Sequence, residues 1–120
     1  MGNKILFVDD SASMRHVVAI ALKGEGYEIV TAEDGLEAYS KLNERFNVII
    51  SDLKMPHMDG VEFIKHVKNS TTNQFTPIVV LTTVLSEEVK EQCHQLGAKV
   101  WMEKPFKPQA LIDVLKKLLG

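Results

Sequence analysis

Ile5-Leu6-Phe7-Val8-Asp9-Asp10-Ser11 sets a short apolar run directly against two adjacent carboxylates. A run of that length suits a strand buried on both faces of a sheet. Immediately downstream Met14, Val17, Val18, Ala21 and Leu22 recur at intervals of three and four, which is one face of a helix. Strand then helix is the unit, and it repeats. Glu28 to Thr31, Val48 to Ile50, Ile78 to Leu81 and Val100 to Met102 are further short runs, mostly rich in β-branched residues. Helical stripes follow them at Leu36, Tyr39 and Leu42, at Val61, Ile64 and Val67, at Val89, Cys93 and Leu96, and at Leu111, Val114, Leu115 and Leu118.

The punctuation agrees with these elements. Gly24 and Gly26 follow the first helical stripe and Gly97 the fourth, where a left-handed C-terminal residue costs least on glycine. Ser86 before Glu87 and Glu88 reads as an N-cap with acid in the first turn, and Pro108 suits a helix start. A βα unit repeated five times predicts an α/β fold with right-handed crossovers and a parallel sheet covered by helices on both faces. No internal repeat or linker stands out, and Asn69 to Thr76 is the one stretch that reads as loose.

With 120 residues, 45% hydrophobic and 25% charged, one globular domain over 1–120 is expected, with a core large enough to need no disulfide or structural metal. Cys93 has no second cysteine to pair with. Fourteen Lys and Arg against 16 Asp and Glu leave a formal charge of -2, which supplies no field to favour nucleic acid or an anionic membrane. The longest apolar run, Val17 to Leu22, falls far short of the roughly 18 residues of a spanning helix. Met1 to Lys4 and the brief run after them do not make a secretory signal, and Leu6 stands where myristoylation would want Ser or Thr. A cytoplasmic chain without membrane insertion is the expectation.

Ligands of an open parallel sheet bind at the carboxyl ends of its strands. The first strand runs into Asp9-Asp10, the third into Ser51-Asp52, the fourth into Thr82-Thr83, and the fifth through Glu103 into Lys104-Pro105. Three carboxylates at one edge would raise one another's pKa unless a cation offset them. A divalent ion answers this, and oxygen ligands without nearby His or Cys suit Mg²⁺. Such a metal beside a free carboxylate, Lys104 and a threonine hydroxyl could hold a phosphoryl group, with a carboxylate as its acceptor. Each residue also has an ordinary use: Asp9, Asp10, Ser11 or Ser13 as an N-cap, Asp52 at a turn, Thr82 within a strand, Lys104 on the surface. Their joint placement favours the site. His16, His57, His66 and His94 sit on different elements without ligand spacing, and Cys93 on an apolar stripe reads as a buried, inert thiol.

The segments Ile5 to Ser11, Asp52-Leu53-Lys54-Met55-Pro56-His57-Met58-Asp59-Gly60, Leu81-Thr82-Thr83, Gly97-Ala98 and Lys104-Pro105-Phe106, in that order and spacing, resemble a receiver domain of the two-component response regulators. The resemblance covers the whole chain and is to the single-domain chemotaxis (CheY-like) type. It implies a doubly wound, flavodoxin-like sheet of strand order 2-1-3-4-5, an order that periodicity alone does not give. It implies Asp52 as acceptor of a phosphoryl group from a histidine kinase. Mg²⁺ would be held by Asp10, Asp52 and the Lys54 backbone carbonyl directly and by Asp9 through water. Thr82 and Lys104 would bind the phosphoryl group, Lys104-Pro105 would be cis, and Trp101 would be the switch aromatic. Such a protein is no classical enzyme, since it catalyses only its own phosphorylation and dephosphorylation. It would be a monomer acting on a downstream target, with the flagellar motor as a candidate, through its fourth helix, fifth strand and fifth helix.

Two features depart from the family pattern. Members of that family usually carry Tyr or Phe where this chain has Trp101, a larger ring that needs more room to turn inward. Lys54 and Val84, two residues beyond Asp52 and Thr82, are an unusual pair beside the route of the hydrolytic water, so the resemblance implies no phosphoryl lifetime. Other readings are weaker on the residues. A phosphohydrolase of the haloacid-dehalogenase type needs Asp-x-Asp after its first strand, and a flavin or dinucleotide carrier needs a phosphate loop where Asp9-Asp10 would repel one. A third keeps the receiver as one domain of a longer regulator or hybrid kinase, which an end at Gly120 permits.

Overall fold

The computed structural model describes residues 2–83 and 85–120. Strands and helices alternate along them as β1 (Lys4–Val8), α1 (Ala12–Gly24), β2 (Glu28–Ala32), α2 (Gly35–Ser40), β3 (Val48–Asp52), α3 (Gly60–Lys68), β4 (Ile78–Thr82), α4 (Glu87–Gln95), β5 (Val100–Glu103) and α5 (Pro108–Leu119). The strands pair in parallel in the order β2-β1-β3-β4-β5. This is the expected doubly wound sheet. The chain steps outward from β1 to β2, then crosses back to β3 and proceeds the other way, so the winding reverses between β1 and β3. β3 and β4 are buried along their whole length and β1 beyond Lys4, whereas the edge strands β2 and β5 are only partly covered. That difference explains why the central strands read as unbroken apolar runs.

Two cores flank the sheet. One packs Leu6, Val8, Ile49, Ile78 and Val80 against Ala38, Phe63, Ile64, Val67 and Cys93 on the side of α2, α3 and α4. The other packs Ile5, Phe7, Val48, Ile50, Val79 and Leu81 against Val18, Leu22, Leu111, Ile112 and Leu115 of α1 and α5. Alternate residues of each strand feed opposite cores, as the pleat requires. Ser11 caps α1 by accepting the Met14 N–H, Ser86 caps α4, and Pro108 opens α5. Among the described residues no helix is long and apolar enough to cross a membrane.

Three local readings change. Gly24 is still helical, and Gly26 instead takes the positive φ of 89° that closes α1. In α2 the stripe points outward: Leu36 and Tyr39 are 54% and 48% exposed, while Ala38 and Leu42 are buried. A helix of six residues ends at Ser40, so Leu42 reaches the core from the turn after it rather than along a helical face. Val17 is likewise 48% exposed, and Val18 and Leu22 carry the buried contacts of α1.

The supposedly loose segment before β4 is pinned from inside. Asn73 is fully buried. Its Oδ1 accepts the Phe46 N–H at 3.0 Å and the Thr76 hydroxyl at 3.1 Å, and its Nδ2 donates to the Leu42 and Glu44 carbonyls at 3.0 and 2.8 Å. One side chain thus ties the β3-proximal loop to the β4-proximal loop. Asn73→Ala strands several buried backbone groups and is expected to lower stability by about 2 to 4 kcal/mol in urea unfolding, whereas Thr72→Ala nearby should stay within about 0.5 kcal/mol.

Candidate functional site

The reversal of winding brings the ends of β1 and β3 together, and the acidic residues stand there. Carboxylate oxygens of Asp9, Asp10 and Asp52 all lie within 4.8 Å of one another. Asp9 and Asp52 are buried and Asp10 is exposed. Asp9 is fixed by its neighbours: Oδ1 accepts the Ser11 N–H at 2.9 Å, and the Arg15 guanidinium donates to its backbone carbonyl at 2.6 Å. Arg15, which carries no signal beyond its place on α1, was not among the expected site residues. Lys104 reaches the cluster from beyond β5. Its backbone N–H donates to the Thr82 carbonyl at 2.8 Å, and its Nζ donates to Asp9 Oδ2 at 2.6 Å and Asp52 Oδ2 at 3.0 Å. The Lys104-Pro105 bond is cis, as the resemblance implied.

This ammonium is the cation that the carboxylates already possess. Burial pulls the Lys104 pKa down, but hydrogen bonds to Asp9 and Asp52 outweigh it and hold the group above its ordinary value. Asp52 is raised, first by burial. Lys104 pulls Asp52 the other way without cancelling the rise, and the Asp9 charge adds to it. Mutual repulsion, the cause expected from sequence, is the smaller part. The remaining lone pairs of three clustered carboxylates, all oxygen, are a donor set for a hard divalent cation.

The other expected residues surround this centre. Thr82 ends β4, buried, in register with Glu103, and lines a cavity of about 320 Å³ with Leu53, Lys54, Val61 and Val89 among its other walls. The Lys54 side chain is exposed, and its backbone N–H acts to lower the Asp52 pKa. Trp101 is half-buried opposite Val80, packed against the core on the α4 side of the sheet. Its ring is thus already partly out of water. Val84 lies outside the described residues. His57, for which the sequence indicated no ligand role, hydrogen-bonds Asp34 at 2.7 Å.

A model of the response regulator receiver domain matches residues 5–116. The chain belongs to that family. This receiver is 36% identical over 120 residues to the chemotaxis protein CheY1 of Helicobacter pylori, spanning 98% of this chain and 97% of that protein. The solved structure of the chemotaxis response regulator CheY4 of Vibrio cholerae superposes with a TM-score of 0.93 at 45% identity, covering 98% of this chain and 99% of that one. The receiver domain of a sensor histidine kinase from Pseudomonas aeruginosa, solved with a magnesium ion coordinated in its active site cleft, gives a TM-score of 0.90 at 28% identity over 100% of this chain and 99% of that one. Receiver domains are two-component signalling switches rather than classical enzymes; they bind Mg²⁺ at an acidic site, take phosphate from histidine kinases and act on downstream targets.

The receiver's buried charges fix how its stability varies with pH. A carboxyl raised on folding binds its proton more tightly in the native state, so Asp52 costs stability as pH rises from its ordinary value of 3.8 through the folded value. Lys104 behaves oppositely, since its contribution is complete below the ordinary value of 10.5 and is lost as pH climbs through the higher folded value. In chelator at pH 7 Asp52→Asn should therefore melt above the parent, and calorimetry at falling pH should find the gap closing as the parent's carboxyl protonates. A gap that widened in acid would contradict this.

Proposed function

We propose that this chain is a phosphorylation-activated switch that accepts a phosphoryl group on Asp52 from a phosphohistidine of a partner kinase. The observation that carries the reading is the Lys104 ammonium bridging Asp9 and Asp52 at the point where the sheet's winding reverses. An Asp52 carboxylate oxygen attacks phosphorus; the new O–P bond forms as the P–N bond breaks, and the electron pair leaves with the partner's imidazole. Lys104, already beside Asp52, offers its N–H groups to the incoming oxygens without a search, which is electrostatic preorganisation. The Thr82 hydroxyl donates to another phosphoryl oxygen. Asp10, Asp52 and the Lys54 carbonyl would hold Mg²⁺ directly and Asp9 through water, and the ion would supply positive charge to offset that of a phosphoryl group.

Movement of Thr82 toward the phosphoryl group changes the packing beneath it, and Trp101 lies on the same side of the sheet. The face made by α4, β5 and α5 then presents a different surface to a downstream partner. Similarity along nearly the full length to two chemotaxis proteins supports a chemotaxis or related two-component pathway, with the flagellar motor as candidate target and the cytoplasm as the place. A second reading keeps this chemistry but makes the chain one domain of a longer regulator or hybrid kinase, as its likeness to a kinase's receiver domain favours.

The chain's single tryptophan reports on the switch. Mg²⁺ with fluoroberyllate, a phosphoryl mimic, should change the emission and solute quenching of Trp101 in the parent, less in Thr82→Ala and not in Asp52→Asn. No mimic binding by calorimetry in the parent would overturn the reading. Binding with unchanged emission would remove Trp101 from the switch.

A further inference from the structure

The loop between β3 and α3 is tied to α2 by groups with no part in the chemistry above. His57 Nδ1 lies 2.7 Å from Asp34 Oδ2. Asp34 is 6% exposed, and its Oδ1 caps α2 by accepting the Glu37 N–H at 2.8 Å. That bond first, and His57 second, hold its carboxyl below the ordinary range. His57 has a φ of 69°, and the Met58 N–H donates to the Pro56 carbonyl at 2.8 Å across it. A three-residue turn with positive φ at a residue bearing Cβ is rare and strained, and it persists only where the surroundings hold it.

Here α2 does the holding. Besides the His57 link, the Met58 carbonyl accepts the Gly35 N–H at 3.2 Å. A Cβ on Gly35 would stand 2.3 Å from that oxygen, so glycine is what lets the two backbones meet. The other end of the loop is closed by the Gly60 N–H, which donates to the Leu53 carbonyl at 2.7 Å. Between these anchors runs Lys54, two residues beyond Asp52. The loop that carries Lys54 is therefore held at its root by Gly60 and at its tip by α2.

We propose that His57 and Asp34 are positioning residues for the metal site: by tying the loop tip to the N-terminus of α2 they set the place of the Lys54 carbonyl and so the affinity for a divalent cation. This rests on the reading above that the Lys54 carbonyl is a ligand. The link acts on the ion through the loop backbone and not by contact.

The test is calorimetric titration of Mg²⁺ into the parent and into His57→Gly, with melting in chelator alongside. Glycine accepts the turn's φ without strain, so a merely local folding role predicts an equal or higher melting temperature and unchanged affinity. Positioning predicts an unchanged or higher melting temperature with Mg²⁺ binding weakened about tenfold, the low end of the loss typical for partners of metal ligands. Excess Mg²⁺ should then restore labelling by a small phosphodonor to the parent's level. Equal Mg²⁺ affinity in parent and variant overturns the proposal and leaves the Asp52 reading standing. So does a variant that loses affinity and melting temperature together. A parent that binds no Mg²⁺ overturns both.

Discussion

Lys104 holds two buried carboxylates together at the centre of the sheet, and the rest of the site is arranged around that contact. Asp9 is fully buried and Asp52 nearly so, and like charges so placed are costly without a partner. The partner arrives from β5, across the end of β4. Its backbone is fastened to Thr82 and its stem passes inward to an ammonium whose side chain is 14% exposed. Pairing alone is a weak reason to keep charge in a core, since well-packed apolar groups often serve stability as well. Under the proposed function the arrangement makes sense as chemistry: a donor aimed at an Asp52 oxygen would be in place before any phosphoryl group comes.

That contact also constrains topology. Asp9, Asp52 and Lys104 are separated by 43, 52 and 95 positions taken pairwise, and the order β2-β1-β3-β4-β5 sets β1 beside β3 with β5 two strands beyond β3. Thr82 ends the intervening β4 and lines the cavity of about 320 Å³ beside it. Trp101 occupies the adjoining edge strand, half-buried against the core on the side of α2, α3 and α4.

Elements were legible in the sequence where burial was two-sided. Ile5 to Val8 and Ile78 to Leu81 read as strands because short, unbroken apolar runs suit burial against both cores, and the candidate site residues were legible because they follow such runs. The outward faces of Leu36 and Tyr39 were not, since a six-residue helix is too short for spacing to decide which side is covered. Asn73 escapes a reading of composition, which sees only a polar loop, because three of its hydrogen bonds run to Leu42, Glu44 and Phe46, about 30 residues away. His57 was overlooked for a related reason: its partner Asp34 stands 23 positions earlier, and nothing in the local pattern joins them. The strand order came from family resemblance, because parallel strands of similar composition carry no label of their neighbours.

The central claim is that Asp52 receives the phosphoryl group. Borohydride reduces an acyl phosphate to an alcohol with release of phosphate, so a phosphorylated aspartate becomes homoserine at the modified position. The protein should be treated with Mg²⁺ and a small phosphodonor, reduced, digested and mapped by mass spectrometry. Homoserine at position 52 and nowhere else is the predicted result. Homoserine at position 9 or 10, or a phosphorylated protein with none at 52, would contradict the account.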